Sequence, residues 1–155
     1  MQAYKDANGD LIMDTAALEG VMLDYWTMRV CGHDHEKTMA MLVDEGVAPS
    51  TNWDYGGPII HVHRIAISPV PPAMEKWVAC WIRPAPSSLI LPPNGSAGPP
   101  RVVANADTPL RAAMVALVFG WAGERVAVPQ DVQALAVTRS AACAAAPQAA
   151  NDVTH

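Results

Sequence analysis

The chain has 155 residues, a mean hydropathy of +0.12 and a formal charge of −5, from ten Lys and Arg against 15 Asp and Glu. This length corresponds to one domain. A charged fraction of 16% is too low for a disordered acidic chain, and no apolar run approaches the roughly 20 residues that cross a bilayer. The acidic balance disfavours a sequence-independent nucleic-acid binder, because such binding depends on Lys and Arg that neutralise phosphates.

The cysteines and the N-terminal residues bear on the cellular compartment. Cys31, Cys80 and Cys143 are odd in number and far apart, so they form neither a disulfide framework nor a CxxC metal motif. Residues 1–10 lack the apolar core of a secretory signal. We therefore expect reduced thiols and a protein that stays in the cytoplasm.

Two helices are predicted in the first third of the chain. Thr15 suits an N-cap position, and the spacing of the apolar residues after it predicts a helix from about Ala16 to Val30. A second, shorter helix is predicted over Glu36–Glu45, where Gly46 provides the residue that ends it.

Three strands are predicted in the middle of the chain. Ile59–Ile67 is dense in β-branched residues and is closed by serine and prolines, which favours a strand. Met74–Arg83 repeats that signal, and Arg101–Asn105 fits a third, short strand. The second strand is expected to place three residues on one face: Trp77, Ala79 and Trp81.

The last predicted helix has the clearest signals, with Thr108 as N-cap, Pro109 at the first helical position and Gly123 ending the helix. The order of elements predicts an α+β fold in which a small three-stranded antiparallel sheet packs against two main helices. We place the single domain at residues 14–129, after an N-terminal extension over 1–13.

Two further segments have a biased composition. Residues 84–100 hold six of the 14 prolines and are predicted to form a long exposed loop between the second and third strands. Residues 130–155 are rich in alanine, which favours helices but buries little surface. We predict that this tail is either helical or disordered.

The segment ahead of the first predicted strand, residues 52–58, has the sequence Asn-Trp-Asp-Tyr-Gly-Gly-Pro and is the main candidate for a binding surface. In an exposed loop, Trp53 or Tyr55 can stack on a planar ligand, while Gly56 and Gly57 permit backbone angles closed to other residues. The alternative interpretation is structural: Trp53 closes the end of the hydrophobic core and the glycines form a tight turn.

Three sequence blocks resemble the NinX family of small proteins encoded by temperate bacteriophages and prophages. They are Leu23-Asp24-Tyr25, then Pro49-Ser50-Thr51-Asn52-Trp53 with Gly56-Gly57-Pro58-Ile59-Ile60, then Thr108-Pro109-Leu110 with Ala112-Ala113-Met114 and Gly123, Val126, Val128 and Pro129. The resemblance covers about residues 14–129 and implies an accessory protein in the cytoplasm of the bacterial host, without an assigned biochemical activity. His61 and the long Pro-rich segment depart from the family pattern.

From the residues and the resemblance together we predict a non-enzymatic binder that needs no cofactor. The predicted ligand-binding residues are Asp24, Asn52, Trp53, Tyr55, Gly56, Gly57 and Arg111. The ligand is either a small molecule, with a nucleotide-like compound as the leading example, or a host protein. A pocket beside Trp53 lined by Asn52, Asp24 and Arg111 would favour the small molecule, and a flat apolar patch would favour the protein.

Two other functions remain as alternatives. His61 and His63 lie two apart on a predicted strand and would face the same way, so they can supply ligands for a metal-dependent enzyme together with the His33-Asp34-His35 turn. The alternative, structural interpretation is that His61 and His63 border the hydrophobic core. The order helix, three strands, helix also matches double-stranded nucleic-acid-binding domains, although the cations are dispersed. A homodimer is compatible with the apolar surplus.

Overall fold

The computed structural model describes residues 3–71, 76–82 and 101–145. Within these residues the chain is an α+β protein with five α-helices and two three-stranded antiparallel sheets. The helices are α1 (Gly20–Val30), α2 (His35–Val43), α3 (Trp53–His63), α4 (Pro109–Ala122) and α5 (Gln130–Ala145). The strands are β1 (Tyr4–Lys5), β2 (Leu11–Asp14), β3 (Ala66–Pro69), β4 (Trp77–Ile82), β5 (Arg101–Ala106) and β6 (Arg125–Val128).

Helix α4 forms the centre of the core. Its bounds and caps are as predicted, because Thr108 accepts a hydrogen bond from the Arg111 amide and Gly123 follows the last turn. Its buried residues surround the helix: Leu110, Ala112, Ala113, Met114, Val115, Ala116, Leu117 and Val118. A helix that is apolar on all sides must be covered on all sides. Helices α1 and α3 and the sheet of β3, β4 and β5 pack against it.

The sheet ordered β3-β4-β5 lies against α4. The prediction for β4 is confirmed, since Ala79 and Trp81 are buried and Trp77 is half-buried on the face toward the core. The Trp81 indole stacks on Trp121 and approaches α4 so closely that a Cβ added at Gly120 would lie 2.1 Å from it. The close packing of this helix on the sheet therefore depends on Gly120.

The second sheet, ordered β1-β2-β6, was not predicted. It pairs β2 with β6 so that Leu11 lies opposite Val128, and residues assigned to an N-terminal extension become part of a sheet. The Thr15 hydroxyl donates a hydrogen bond to the Gly123 carbonyl at 2.7 Å, across the same junction. Strands of two to four residues carry too short a pattern to be recognised locally.

The first helix starts later than predicted. Thr15 does not cap it, because its hydroxyl is bonded to Gly123 and Thr15–Ala17 form a 3-10 turn. Helix α1 begins at Gly20. The second predicted helix is confirmed as α2, which Asp34 caps by accepting a hydrogen bond from the Lys37 amide at 2.8 Å.

The predicted strand at Ile59–Ile67 is wrong over most of its length. Residues Trp53–His63 form helix α3, and the strand β3 begins only at Ala66. The Asn52 side chain accepts a hydrogen bond from the Asp54 amide at 2.9 Å, which is an N-cap contact. Packing against the core overrides the β preference of the branched residues.

Helix α5 covers one side of α1. Val132 on α5 is fully buried, and the Arg139 guanidinium donates a hydrogen bond to the Leu42 carbonyl. No helix in the described ranges is long and apolar enough to span a membrane. The Pro-rich segment 84–100, both ends of the strand predicted over Met74–Arg83 and the tail residues 146–155 lie outside the described residues.

Candidate functional site

The candidate binding segment is a helix with an exposed apolar face, not a loop. Trp53 is 53% exposed and Val62 is 73% exposed. Tyr55 and Pro58 are also exposed. Because Tyr55, Pro58 and Val62 are spaced by three and four residues, they form one stripe along the outer side of α3.

A shallow groove of about 360 Å³ lies beside this stripe, between α3 and the end of α1. Its lining residues are Val30, Cys31, Pro58, Ile59, Val62 and His63. We call the stripe of Tyr55, Pro58 and Val62, together with this groove, the α3 surface. The α3 surface is a continuous apolar area that the described chain leaves open to solvent.

Gly56 fixes the position of α3 against the core. A Cβ added there would lie 2.4 Å from the Pro49 carbonyl oxygen and 2.6 Å from Leu110 Cδ2. At Gly57 the nearest atom is Trp53 Cε3, at an ordinary contact distance of 3.8 Å. The two glycines therefore differ: Gly56 permits the close approach of α3 to α4, and Gly57 lies in a less restricted position.

Asp24 lies on α1, under the segment that leads into α3. Its carboxylate accepts a hydrogen bond from the Ser50 amide at 2.7 Å, and the residue is only 2% exposed. Burial raises the pKa of Asp24 to about 6, although the Ser50 amide acts in the opposite direction. Asp24 thus anchors the start of the candidate segment from below.

Asn52 and Arg111, the remaining predicted polar contacts, are engaged elsewhere. Asn52 caps α3, and Arg111 forms ion pairs with Asp107 at 3.2 Å and with Glu19 at 3.5 Å. Neither the groove nor the depression beside His61 and Arg64 is lined by Asp24, Asn52 or Arg111. The structure therefore gives each of these three side chains a separate local partner.

His61 and His63 do not face the same way, because they lie on a helix and residues two apart on a helix differ in direction by about 200°. His61 is exposed, whereas His63 is half-buried in the groove, where burial lowers its pKa. Within the described ranges no three or more His, Cys, Asp or Glu side chains group as a metal site would require.

One chain of polar contacts was missed by sequence reasoning. Tyr25 Oη and His35 Nδ1 share a hydrogen bond of 2.9 Å, and His35 Nε2 donates to Asp131 at 2.9 Å. These contacts join α1, α2 and α5. Since Tyr25 is only 3% exposed, we interpret these two hydrogen bonds as a structural tie between the three helices. Partners 10 and 96 positions apart leave no local signal that could have revealed it.

The family described as "Bacteriophage P22, NinX" matches residues 14–120 of the chain. The chain belongs to the NinX family. The comparison with curated proteins finds no match. The region matched to NinX contains α1, α2, α3, the sheet of β3, β4 and β5, and most of α4, so the whole α3 surface lies within it.

Replacing the two adjacent glycines of α3 by alanine should have different effects on the free energy of unfolding. Gly56→Ala should lower the free energy of unfolding by at least about 2 kcal/mol, because the new methyl group meets the Pro49 backbone. Gly57→Ala should leave it unchanged or raise it by up to about 1 kcal/mol, because alanine favours the helix. Urea denaturation of both variants measures this, and equal effects would contradict the close approach at Gly56.

Asp24 should make stability depend on pH. Its folded-state pKa of about 6 lies above its ordinary value of 3.8, so the folded state holds the proton more tightly. The free energy of unfolding should therefore fall as pH rises from about 4 to 7, with a contribution from Asp24 of about 3 kcal/mol.

Asp24→Asn isolates this contribution, since asparagine does not titrate and its oxygen can still accept from Ser50. The free energy of unfolding of the variant, relative to that of the wild type, should therefore rise as the pH increases from about 4 to 7. Urea denaturation at several pH values measures this difference. A difference between the two proteins that stays constant with pH would refute the raised pKa.

Proposed function

We propose that this NinX protein is a phage accessory protein that binds another protein in the host cytoplasm through the α3 surface, without catalysing a reaction. The observation that carries the proposal is the exposed stripe of Tyr55, Pro58 and Val62 beside an apolar groove. Contiguous exposed apolar side chains on one face are typical of interaction sites, whereas scattered ones are not. The family match supports the phage origin.

The groove indicates the chemistry of the partner. It is bordered by Val30, Ile59 and Val62, and it is open rather than enclosed. An apolar side chain can enter it without losing hydrogen bonds to water. A charged group would lose its hydration there without gaining an opposite charge or a hydrogen bond. The expected partner is therefore a protein segment that presents one or two large apolar side chains, such as the apolar face of a helix.

A nucleotide-like ligand fits the start of α3 less well. A helix N-terminus is a common phosphate site, but here the Asn52 side chain bonds the Asp54 amide. Asp54 also places a carboxylate in the first turn, where it would repel a phosphate. The exposed Trp53 indole still offers a stacking surface, so a planar ligand is the second candidate.

The catalytic and nucleic-acid alternatives have less support. The metal-dependent enzyme needs ligands that converge, but His61 and His63 point in different directions on α3, and no three His, Cys, Asp or Glu side chains group as a metal site within the described residues. The nucleic-acid alternative was based on the order helix, three strands, helix. That order occurs in the structure, where α3, β3, β4, β5 and α4 follow one another. The order alone does not indicate nucleic-acid binding, and the one basic residue of α4, Arg111, is already in ion pairs with Asp107 and Glu19.

Photo-crosslinking from α3 tests the protein-binding proposal. A photoreactive residue placed at position 62 should crosslink to a discrete protein in host cells. In the protein without the photoreactive residue, Val62→Glu should abolish the interaction with that partner. Val137 on α5 is the matched control, because it is also a helical valine and is 70% exposed. Crosslinks that are equal at positions 62 and 137, or a partner retained by Val62→Glu, would disprove the proposal.

The second candidate predicts a different result. If a planar ligand stacks on Trp53, a nucleotide present in excess should raise the melting temperature of the wild type, and Trp53→Ala should remove the increase. Trp53 is half exposed, so the variant should remain folded. A shift that persists in folded Trp53→Ala would exclude Trp53 as the ligand contact.

A further inference from the structure

Strand β5 is an open edge of the main sheet. In the described part of the chain it pairs with β4 alone, and α4 packs against its inner face. The other long side of β5 therefore presents its backbone N–H and C=O groups without a strand partner among the described residues. Such an edge is a template for pairing with another strand.

The other strand edges are better protected than β5. On the opposite side of the same sheet, β3 ends in Pro69, which cannot donate to a ladder. In the second sheet β1 has two residues, and every residue of β6 is buried or half-buried. By contrast β5 has six residues, with Val102 and Val103 adjacent and with neither Pro nor Lys. Apart from Arg101 at its start, β5 therefore lacks the features that prevent an edge strand from pairing with another strand.

The charges at the two ends of β5 are complementary in one orientation only. Arg101 begins the strand and Asp107 directly follows it. An antiparallel second copy with Ala104 opposite Ala104 places each Arg101 opposite the partner's Asp107, and it keeps inward residues inward. A parallel copy in register would place like charges together. The antiparallel register centred on Val103 would place Arg101 opposite the neutral Asn105.

Both charged groups are accessible for this contact. The Asp107 side chain is 67% exposed and is held near the end of β5 by Arg111 at 3.2 Å. Arg101 is exposed, and its Nε donates to Cys80 Sγ on β4 at 3.1 Å, so the dimer contact requires this side chain to turn from β4 toward the open edge. Cross-strand pairs of opposite charge stabilise antiparallel sheets.

We propose that two copies of this chain pair antiparallel through β5, forming a dimer with a continuous six-stranded sheet and two Arg101–Asp107 contacts. The two-fold axis passes beside Ala104, so the interface uses the same patch of both copies. This β5 interface is separate from the α3 surface, and the two proposals are tested by different experiments.

Charge reversal tests the proposal. Arg101→Asp and Asp107→Arg each bring like charges together twice, so each variant alone should raise the dimer dissociation constant about tenfold or more, as measured by sedimentation. Mixed together, the two variants restore both opposite-charge contacts. Native mass spectrometry of an equimolar mixture should therefore show the heterodimer well above the proportion of about one half of all dimers that random pairing gives.

Matched reversals at exposed sites on α2 and after it, Lys37→Asp and Glu45→Lys, should leave the dissociation constant unchanged. Val103→Lys places a charge on an exposed position in the middle of the edge and should abolish the dimer while the circular dichroism spectrum is kept. The proposal is wrong if the wild type is monomeric, if the dimer is insensitive to both reversals, or if the mixture contains the heterodimer at the random proportion. A monomer whose β5 strand binds a strand of another protein would contradict it in the same way.

Discussion

The burial of α4 on nearly every side is the constraint on which the rest of the structure depends. Helices α1 and α3 and the sheet of β3, β4 and β5 all pack against it, because a helix apolar all round is stable in water only when it is enclosed. Two glycines permit the close approach: Gly56 brings α3 to Leu110, and Gly120 receives Trp81. The contact at Gly56 sets the orientation of α3, and hence which of its side chains reach solvent.

Helix α3 is apolar on both sides but is covered on one. Gly56 and Ile60 pack inward, while Pro58 and Val62 remain outside. The segment before it is anchored by Asp24, whose buried carboxylate satisfies the Ser50 amide yet costs stability once it is ionised. The inner side of α3 is thus packed against the core while its outer apolar side is exposed, and a surface positioned before binding loses less ordering entropy when a partner binds.

The sequence predicts those elements whose signals are local and agree with one another. Helix α4 is correct to within a residue because Thr108, Pro109 and Gly123 all indicate its ends. Helix α3 is missed because β-branched residues after Pro58 outweigh the N-cap signal of Asn52, and only packing against Leu110 decides between helix and strand. The β1-β2-β6 sheet and the Tyr25–His35–Asp131 tie join residues too distant for any local pattern. The composition of the segment around Trp53 indicates a candidate binding surface. Its local pattern does not reveal which of its side chains are buried, because that depends on tertiary contacts.

The segments outside the family match bear on whether the two proposed surfaces are truly open. Strand β6 pairs with β2, Gln130 bonds the backbone at Asn8, and Asp131 bonds His35, so both flanking segments are joined to each other and to α1 and α2. The described parts of these segments enclose one side of α1 and leave α3 and β5 exposed. Within the described residues, therefore, α3 and β5 keep the exposed apolar side chains and the open strand edge on which the two proposed interactions depend.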